Sequence, residues 1–295
     1  MHDVVVVLSF FSPANYEIPK KHFHLVLQTL IARGVRVVVS QAVLPGQEPQ
    51  PVPEAVQNLV YEVPHQIWLK ESLWNNAARN TDAAKLIFVD TDVVFSTEEW
   101  VDRAAWLLDQ ADIIQPMDFC RWLDFTGRQC NQKISFAHAA ATRQPFHFAR
   151  IHPGFSWGMT RKAFDELGGF YDLNVTGGND TAFALAIVNS DEAERARHVI
   201  ATTQEPTLDA ESFLQYRANA LSHRHKLMTV RGVTAVHLWH GDISGRAYTT
   251  RSQVYPRLEN NDYPVKRLPN GLLAWEDEAG VAAAVEHWKN RKEDG

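Results

Sequence analysis

The stretch Lys85-Leu-Ile-Phe-Val-Asp-Thr-Asp-Val-Val-Phe95 decides how the rest of the chain is interpreted. Its first part, Leu86 to Val89, is a short apolar run of the kind that forms a strand buried on both faces of a sheet. Asp90 and Asp92 follow that run directly. In an open α/β sheet the carboxyl ends of the strands face the ligand crevice, so two acids at this point indicate a binding site.

The acidic pair has two interpretations. Carboxylates are hard oxygen ligands that suit Mg²⁺ or Mn²⁺, and such an ion could hold a diphosphate. Alternatively, one aspartate caps the helix that follows and the other is solvated. An Asp-x-Asp pair is too short to separate these alternatives by itself.

The composition is that of a globular protein. The chain has 295 residues, of which 45% are hydrophobic and 22% charged, and this length fits one large α/β domain or two small ones. The net charge of −6 gives no global attraction to nucleic acid, although it does not exclude a local basic groove.

No membrane segment is expected, since no apolar run approaches the ~20 residues that a span requires and the first residues lack a signal-peptide pattern. The only cysteines are Cys120 and Cys130. Two thiols in a chain of this length predict free cysteines in a reducing compartment, and we expect a cytoplasmic protein.

The first 115 residues predict a parallel sheet. Val4 to Phe10 reads as a strand, Lys20 to Arg33 as a helix and Val35 to Val39 as a second strand, which together form a βαβ unit. No Gly-x-Gly-x-x-Gly follows the first strand, and this argues against a dinucleotide-dependent oxidoreductase.

The pattern changes after residue 115. Residues 116–153 show no regular periodicity and predict a long polar and aromatic loop, a kind of segment that is usually functional or mobile. Further on, Gly177-Gly-Asn-Asp180 opens a helix, and a strand over 230–238 delivers His237-Leu-Trp-His-Gly241.

Several stretches together resemble the GT-A glycosyltransferases, in particular polypeptide N-acetylgalactosaminyltransferases, β-1,4-galactosyltransferases and small phage-encoded glycosyltransferases. They are Trp68-Leu-Lys-Glu-Ser-Leu-Trp-Asn75, Val89-Asp-Thr-Asp92, Gly154-Phe-Ser-Trp-Gly-Met-Thr-Arg-Lys-Ala-Phe164, Gly168-Gly-Phe-Tyr-Asp172, Gly177-Gly-Asn-Asp180 and His237-Leu-Trp-His-Gly241. The resemblance implies an α/β, Rossmann-like GT-A fold with a mixed central sheet. It also implies one domain over residues 1–295, with a nucleotide-sugar half (1–115) and an acceptor and catalytic half with a C-terminal tail (116–295).

The resemblance also implies roles for individual residues. Asp92, Asp90 directly or through water, and a histidine, His237 in preference to His240, would bind Mn²⁺ or Mg²⁺. Asp180 would be the catalytic base. The residues expected to bind the donor are Lys70, Asn75, Asp90, Trp157, Gly158, Arg246, Tyr248 and Arg251.

Each of these roles has a structural alternative. Asp180 could be a helix N-cap, Lys70 a solvated side chain and Trp157 a core residue. Arg246 and Arg251 could form surface ion pairs.

Two departures from the family pattern leave the substrates open. The usual Trp-Gly-x-Glu-Asp stretch is Thr176-Gly-Gly-Asn-Asp180 here, so one acid is missing. Ser40-Gln41 ends the second strand, where related enzymes often carry an acid for the nucleotide base.

The sequence therefore predicts a metal-dependent, inverting glycosyltransferase that uses a nucleotide-diphosphate sugar, with a UDP-sugar as the first donor to consider. The expected acceptor is a 5-hydroxymethylpyrimidine of phage DNA or, alternatively, a glycan or protein hydroxyl. The hypotheses of another class are a two-metal nucleotidyltransferase or nuclease using Asp90, Asp92 and Asp180, and a silent sugar-nucleotide-binding module.

Overall fold

The computed structural model describes residues 3–242, 245 and 254–294. Its strands are β1 (Val4–Phe10), β2 (Val37–Val43), β3 (Gln57–Glu62), β4 (Lys85–Val89), β5 (Val93–Phe95), β6 (Ile113–Gln115), β7 (Phe119–Leu123), β8 (Gln129–Ser135), β9 (Ile151–His152), β10 (Ser156–Thr160), β11 (Leu227–Thr229), β12 (Thr234–His237), β13 (Val265–Arg267) and β14 (Leu273–Trp275). Its helices are α1 (Glu17–Ala32), α2 (Lys70–Arg79), α3 (Trp100–Leu107), α4 (Phe136–Ala141), α5 (Arg161–Leu167), α6 (Asn179–Ala186), α7 (Asp191–Thr203), α8 (Glu211–His223) and α9 (Glu278–Asn290), with a 3₁₀ helix at Pro206–Asp209.

A mixed seven-stranded sheet forms the centre of the molecule, with the strand order β11-β6-β10-β4-β1-β2-β3. Strand β1 pairs in parallel with β2 and with β4, whereas β10 runs antiparallel between β4 and β6. Alternate side chains of β1 enter different cores: Val5 and Val7 pack in one apolar cluster, and Val4 and Val6 in another. Both faces of the sheet are therefore covered, as the continuous apolar runs indicate. The predicted α/β fold with a mixed central sheet is confirmed.

A second sheet stands beside the first, with the strand order β5-β12-β7-β8-β9. Strand β5 begins directly after Asp92, and β12 pairs antiparallel with it so that His237 lies opposite Val93. The same strand β12 pairs in parallel with β7. This second sheet fixes where the end of β12 meets the end of β4.

The prediction of a long loop over residues 116–153 is wrong, because this segment contains β7, β8, α4 and β9. Strand β8 is exposed along most of its length and reads Gln-Cys-Asn-Gln-Lys-Ile-Ser. A strand with no buried face leaves no period-2 apolar pattern to detect. Pairing with β7 stabilises it instead.

Residues from both sides of position 115 build the main sheet, because β10 and β11 lie beside β4 and β6. That residues 1–295 form one domain stays a prediction. Cys120 is a buried free thiol and Cys130 an exposed one. Among the described residues, no helix combines the length and the apolar character that crossing a membrane would require.

Candidate active site

A cavity of about 450 Å³ opens where β1 and β4 end. Residues from both sheets, from α2 and α6 and from the segment after α9 form its wall. The wall includes Tyr16, Trp68, Lys70, Asp90, Asp92, Trp122, His152, Phe155, Asp180, His237, His240, Trp288, Arg291 and Glu293.

Three side chains form what we call the histidine cluster: Asp92, His237 and His240. Oδ2 of Asp92 is 2.8 Å from Nε2 of His240 and 3.3 Å from Nε2 of His237. The two Nε2 atoms are 3.3 Å apart. Both rings therefore direct a nitrogen to the same carboxylate oxygen, which His237 reaches from the end of β12 and His240 from the loop after it.

The histidine cluster fits a divalent cation. Ligand atoms at about 2.1 Å from one ion and at right angles to each other lie about 3 Å apart, close to the spacings found here. The other carboxylate oxygen of Asp92, Oδ1, is buried and has no hydrogen-bond partner among the described residues. An oxygen and two imidazole nitrogens suit Mn²⁺ better than Mg²⁺.

The electrostatics of the histidine cluster favour an ionised Asp92. Burial by itself would raise the pKa of this carboxyl, but the charge and hydrogen bonds of His237 and His240 outweigh burial and lower it. The backbone also holds the cluster together, since the Leu238 N–H donates to the Asp92 carbonyl at 2.8 Å.

A second group, which we call the lysine cluster, comprises Lys70, Glu71, Asp90 and Asp180. Nζ of Lys70 is 3.1 Å from Oδ1 of Asp90, 3.0 Å from Oδ1 of Asp180 and 3.4 Å from Oε1 of Glu71. One ammonium thus lies among three carboxylates, and it also lies 4.8 Å from the centre of the Trp74 ring.

Burial and charge oppose each other in the lysine cluster. Burial disfavours the ammonium, but the carboxylates of Asp180, Asp90 and Glu71 outweigh burial and raise the pKa of Lys70. Burial raises the pKa of Asp90, and Lys70 only partly offsets this. Burial likewise raises the pKa of Glu71. Three carboxylates around one ammonium leave uncompensated negative charge in a poorly solvated place.

Asp180 lies in the first turn of α6, where Gly178 is the N-cap with a φ of 90°. Asp180 is therefore not the capping residue, and its carboxylate faces Lys70 and the cavity instead. Gly154 permits this approach, because a Cβ at that position would lie 2.7 Å from Oδ2 of Asp180 and 3.0 Å from Nε2 of His152.

No protein-family model matches this sequence. No curated protein matches it either.

Solved structures do match in part. S. aureus TarS in complex with UDP-GlcNAc has 10% identity over 81% of this chain and 59% of that chain, with a TM-score of 0.47. The mannosyltransferase PcManGT from Pyrobaculum calidifontis, in complex with GDP-Man and Mn²⁺, has 13% identity over 80% of this chain and 56% of that chain, with a TM-score of 0.40. Glucosyl-3-phosphoglycerate synthase from Mycobacterium tuberculosis, in complex with Mn²⁺, UDP and glucosyl-3-phosphoglycerate, has 9% identity over 80% of this chain and 70% of that chain, with a TM-score of 0.40. The chain thus spans little more than half the length of the first two.

The structure brings together most of the predicted metal and catalytic residues. Asp92, His237 and His240 converge, and Asp90 and Asp180 lie beside them around Lys70. The Asp90 carboxylate pairs with Lys70, and the cluster of potential metal ligands among the described residues consists of Asp92, His237 and His240. Metal binding by Asp90, directly or through water, stays a prediction.

Three residues expected to bind the donor lie away from the cavity. The Asn75 side chain donates to the carbonyl of Phe170 and accepts from its N–H. Trp157 is fully buried, and its indole donates to the carbonyl of Pro153. At Gly158 a Cβ would lie 2.7 Å from Ile114, because β10 is packed inside the main sheet. These are packing contacts within the fold, and donor binding by Asn75, Trp157 and Gly158 stays a prediction.

Arg246, Tyr248 and Arg251, also expected to bind the donor, lie outside the described residues. Their predicted roles are not addressed by the structure.

Part of the cavity wall consists of residues that no sequence motif marks. Trp288, Arg291 and Glu293 all line the cavity and are buried. Their spacing does not indicate a binding site, because charged residues at the end of a helix usually lie on its solvent-exposed face. His152 was likewise not singled out among the polar residues of its segment. Burial lowers the pKa of His152, which favours a neutral ring beside the histidine cluster.

Proposed function

We propose that this protein is a divalent-cation-dependent glycosyltransferase that moves a sugar from a nucleotide-diphosphate donor to an acceptor hydroxyl with inversion at the anomeric carbon. One observation carries the proposal: the histidine cluster and the Asp180 carboxylate face the same cavity, with Lys70 between Asp180 and Asp90. This arrangement supplies a cation site for a leaving group and a separate base for an incoming group.

The leaving-group side consists of the histidine cluster and Lys70. Asp92, His237 and His240 would hold the cation. When bound there, a divalent ion offers Lewis-acid stabilisation of the negative charge that grows on the departing nucleotide diphosphate. The Lys70 ammonium can donate a hydrogen bond to a phosphate oxygen from its position beside Asp90.

The incoming side depends on Asp180. The acceptor oxygen forms a bond to the anomeric carbon while the bond from that carbon to the diphosphate oxygen breaks on the opposite face. The hydroxyl proton passes to the Asp180 carboxylate, which acts as a general base. The Lys70 ammonium lies 3.0 Å from Oδ1 of Asp180 and orients this carboxylate in the cavity.

We propose a UDP-sugar as the first donor to examine, because the sequence resemblance favours it. Two kinds of acceptor are to be compared: a 5-hydroxymethylpyrimidine in DNA, and a hydroxyl of a glycan or protein. Binding to DNA would weaken steeply as the salt concentration rises, whereas a neutral glycan acceptor would show little salt dependence.

The deciding experiment measures nucleotide release from UDP-, GDP-, CDP- and TDP-sugars, with Mn²⁺, with Mg²⁺ and with EDTA. We expect turnover of at least one donor with a cation present and its loss in EDTA. Asp92→Asn should behave like the EDTA sample, and Asp102→Asn, an exposed aspartate on α3, should behave like wild type. Failure to turn over any of the four donors with metal present would contradict the proposal.

The structure bears on the alternative of a two-metal nuclease. That mechanism needs Asp90, Asp92 and Asp180 to share a pair of ions about 4 Å apart. Instead, Asp90 and Asp180 share a lysine, and this arrangement supports the glycosyltransferase proposal. The silent binding module is tested by Asp180→Asn, described in the Discussion.

A further inference from the structure

The segment of residues 288–294, which we call the closing segment, lies against the histidine cluster. It begins in the last turn of α9 and includes Trp288, Arg291 and Glu293 of the cavity wall. Glu293 is 8% exposed and Arg291 is 4% exposed. Burying a carboxylate and a guanidinium is unfavourable unless both are paired, so their contacts need an explanation.

Asp294 attaches the closing segment to the start of α1. Its carboxylate oxygens accept from the backbone N–H groups of Glu17 at 2.9 Å and Ile18 at 2.8 Å. A negative charge at a helix N-terminus satisfies donors that have no partner within the helix and complements the helix dipole. The Tyr16 hydroxyl donates to the carbonyl of Arg291 nearby.

The closing segment also packs on the loop that carries His240. Gly241 has a φ of 94°, and a Cβ there would lie 2.7 Å from the carbonyl oxygen of Lys292. The Lys292 N–H donates to the carbonyl of Gly245 at 3.0 Å. The glycine after His240 is thus required by the close approach of residue 292, and this approach puts residue 293 beside His240.

Arg291 orients the carboxylate of Glu293. Its Nε donates to Oε1 of Glu293. Its guanidinium lies 4.9 Å from the centre of the Trp288 ring and 5.6 Å from that of Trp68. With Oε1 held in this way, Oε2 of Glu293 lies 3.4 Å from Nδ1 of His240.

The two nitrogens of His240 thus face different carboxylates: Nε2 lies 2.8 Å from Asp92 and Nδ1 lies 3.4 Å from Glu293. A neutral imidazole carries one N–H, so presenting the Nε2 lone pair to a cation requires the proton on Nδ1. A carboxylate on the Nδ1 side favours that tautomer and makes Nε2 a better ligand. The 3.4 Å separation is longer than a well-formed hydrogen bond, so Glu293 acts here through its charge and through the orientation of the ring.

We propose that Glu293 is a positioning residue of the cation site, which fixes the tautomer and orientation of His240 while Arg291 orients the Glu293 carboxylate. The proposal rests on the proposed function, since it takes the histidine cluster as the site of a divalent cation. It extends that function to residues which the motifs do not include.

The test is a titration of the full chain with Mn²⁺, with free Mn²⁺ measured by electron paramagnetic resonance and no sugar donor present. We expect Glu293→Gln to raise the Kd for Mn²⁺ about 10-fold, the lower end of the effect of losing such a partner. Asp294→Asn, which removes the negative charge at the start of α1 without touching His240, should keep the Kd within about 2-fold of wild type while lowering the free energy of unfolding by about 0.3–1 kcal/mol. Glu276→Gln, at an exposed position, is the matched control for the substitution itself.

An unchanged Kd in Glu293→Gln would overturn the proposal. So would an equal loss of affinity in Asp294→Asn, since that would assign the effect to attachment of the segment. Should Glu293→Gln fail to fold, Glu293→Asp, which keeps the charge but withdraws it, replaces it and is expected to weaken Mn²⁺ binding. If wild type itself binds no Mn²⁺, the failure lies in the proposed function and both proposals fall, whereas tight wild-type binding with no effect of Glu293 removes only this one.

Discussion

Asp90 and Asp92 are separated by one residue, yet they belong to clusters of opposite character. Asp92 faces two imidazoles, and its pKa is lowered because their charge and hydrogen bonds outweigh its burial. Asp90 faces one ammonium shared with two other carboxylates, and its pKa is raised because its burial is only partly compensated. One short acidic motif therefore contributes one carboxylate to a candidate cation site and another to a buried ion pair.

The difference follows from what each side chain faces when β4 ends. Residue 92 begins the crossing to the second sheet, where β12 brings His237 opposite Val93. Residue 90 stays at the edge of the first sheet, within reach of the first turn of α2 and α6. Two aspartates separated by a single residue therefore face different partners.

The largest expected effect is on kcat and comes from removing Asp180, the proposed general base. Asp180→Asn should lower kcat by about 10²–10⁴-fold, the usual contribution of general base catalysis. Binding of Mn²⁺ should be unchanged, because Asp180 lies outside the histidine cluster. Steady-state kinetics and the Mn²⁺ titration together check this. Retained turnover would remove Asp180 from the mechanism, and loss of Mn²⁺ binding would show that the two clusters are not separate.

Removing the Lys70 ammonium, which three carboxylates share, should have the largest effect on the free energy of unfolding. Lys70→Met leaves Glu71, Asp90 and Asp180 without their common partner, and we expect a loss of about 3–5 kcal/mol in the free energy of unfolding. Denaturant titration measures it. Lys162→Met is the control: Lys162 pairs with Glu166 at 2.6 Å on the exposed surface of α5, and losing such a pair should cost less than about 1 kcal/mol. Equal effects of the two substitutions would contradict the description of the lysine cluster.

The smallest expected effects are those of Asp92→Asn and Asp90→Asn, which should change the free energy of unfolding in opposite directions. In EDTA at neutral pH, Asp92→Asn should lower the free energy of unfolding by about 2 kcal/mol, because it removes charge-assisted hydrogen bonds. Asp90→Asn should raise it by about 0.5–2 kcal/mol, because it relieves a poorly compensated buried carboxylate.

The pH dependence of these two effects follows from the directions of the pKa shifts. Asp92 has a lowered pKa, so its stabilisation is present above the unfolded value of about 3.9 and is lost as pH falls through the folded pKa. Asp90 has a raised pKa, so its penalty begins as pH rises above about 3.9 and grows up to the folded pKa. The gain from Asp90→Asn should therefore disappear near pH 4. Unfolding curves at neutral and acid pH test this, and shifts of the same sign for both substitutions would contradict the comparison.

The candidate site was more predictable from the sequence than the second sheet was. Asp92 lies just after β4, His237 is the last residue of β12, and Asp180 lies two residues after a pair of glycines. These are local features that a sequence displays. Strands β7 and β8 lack such features, because β8 is exposed and β7 gains its place from pairing with β12 more than a hundred residues later. Asn75, Trp157 and Gly158 lie in motifs, but only the structure shows that their side chains or backbones contact the packed interior.

The sequence by itself determined the parallel strands of the central sheet and the end of β4, because an apolar run such as Leu86 to Val89 is stable only when buried on both faces and the acids that follow it must meet solvent or a partner. Only the tertiary structure decided the partners. It placed a lysine at Asp90, two imidazoles at Asp92 and Glu293 beside His240, since pairing between side chains of different elements depends on the packing of whole sheets and helices and leaves no local pattern.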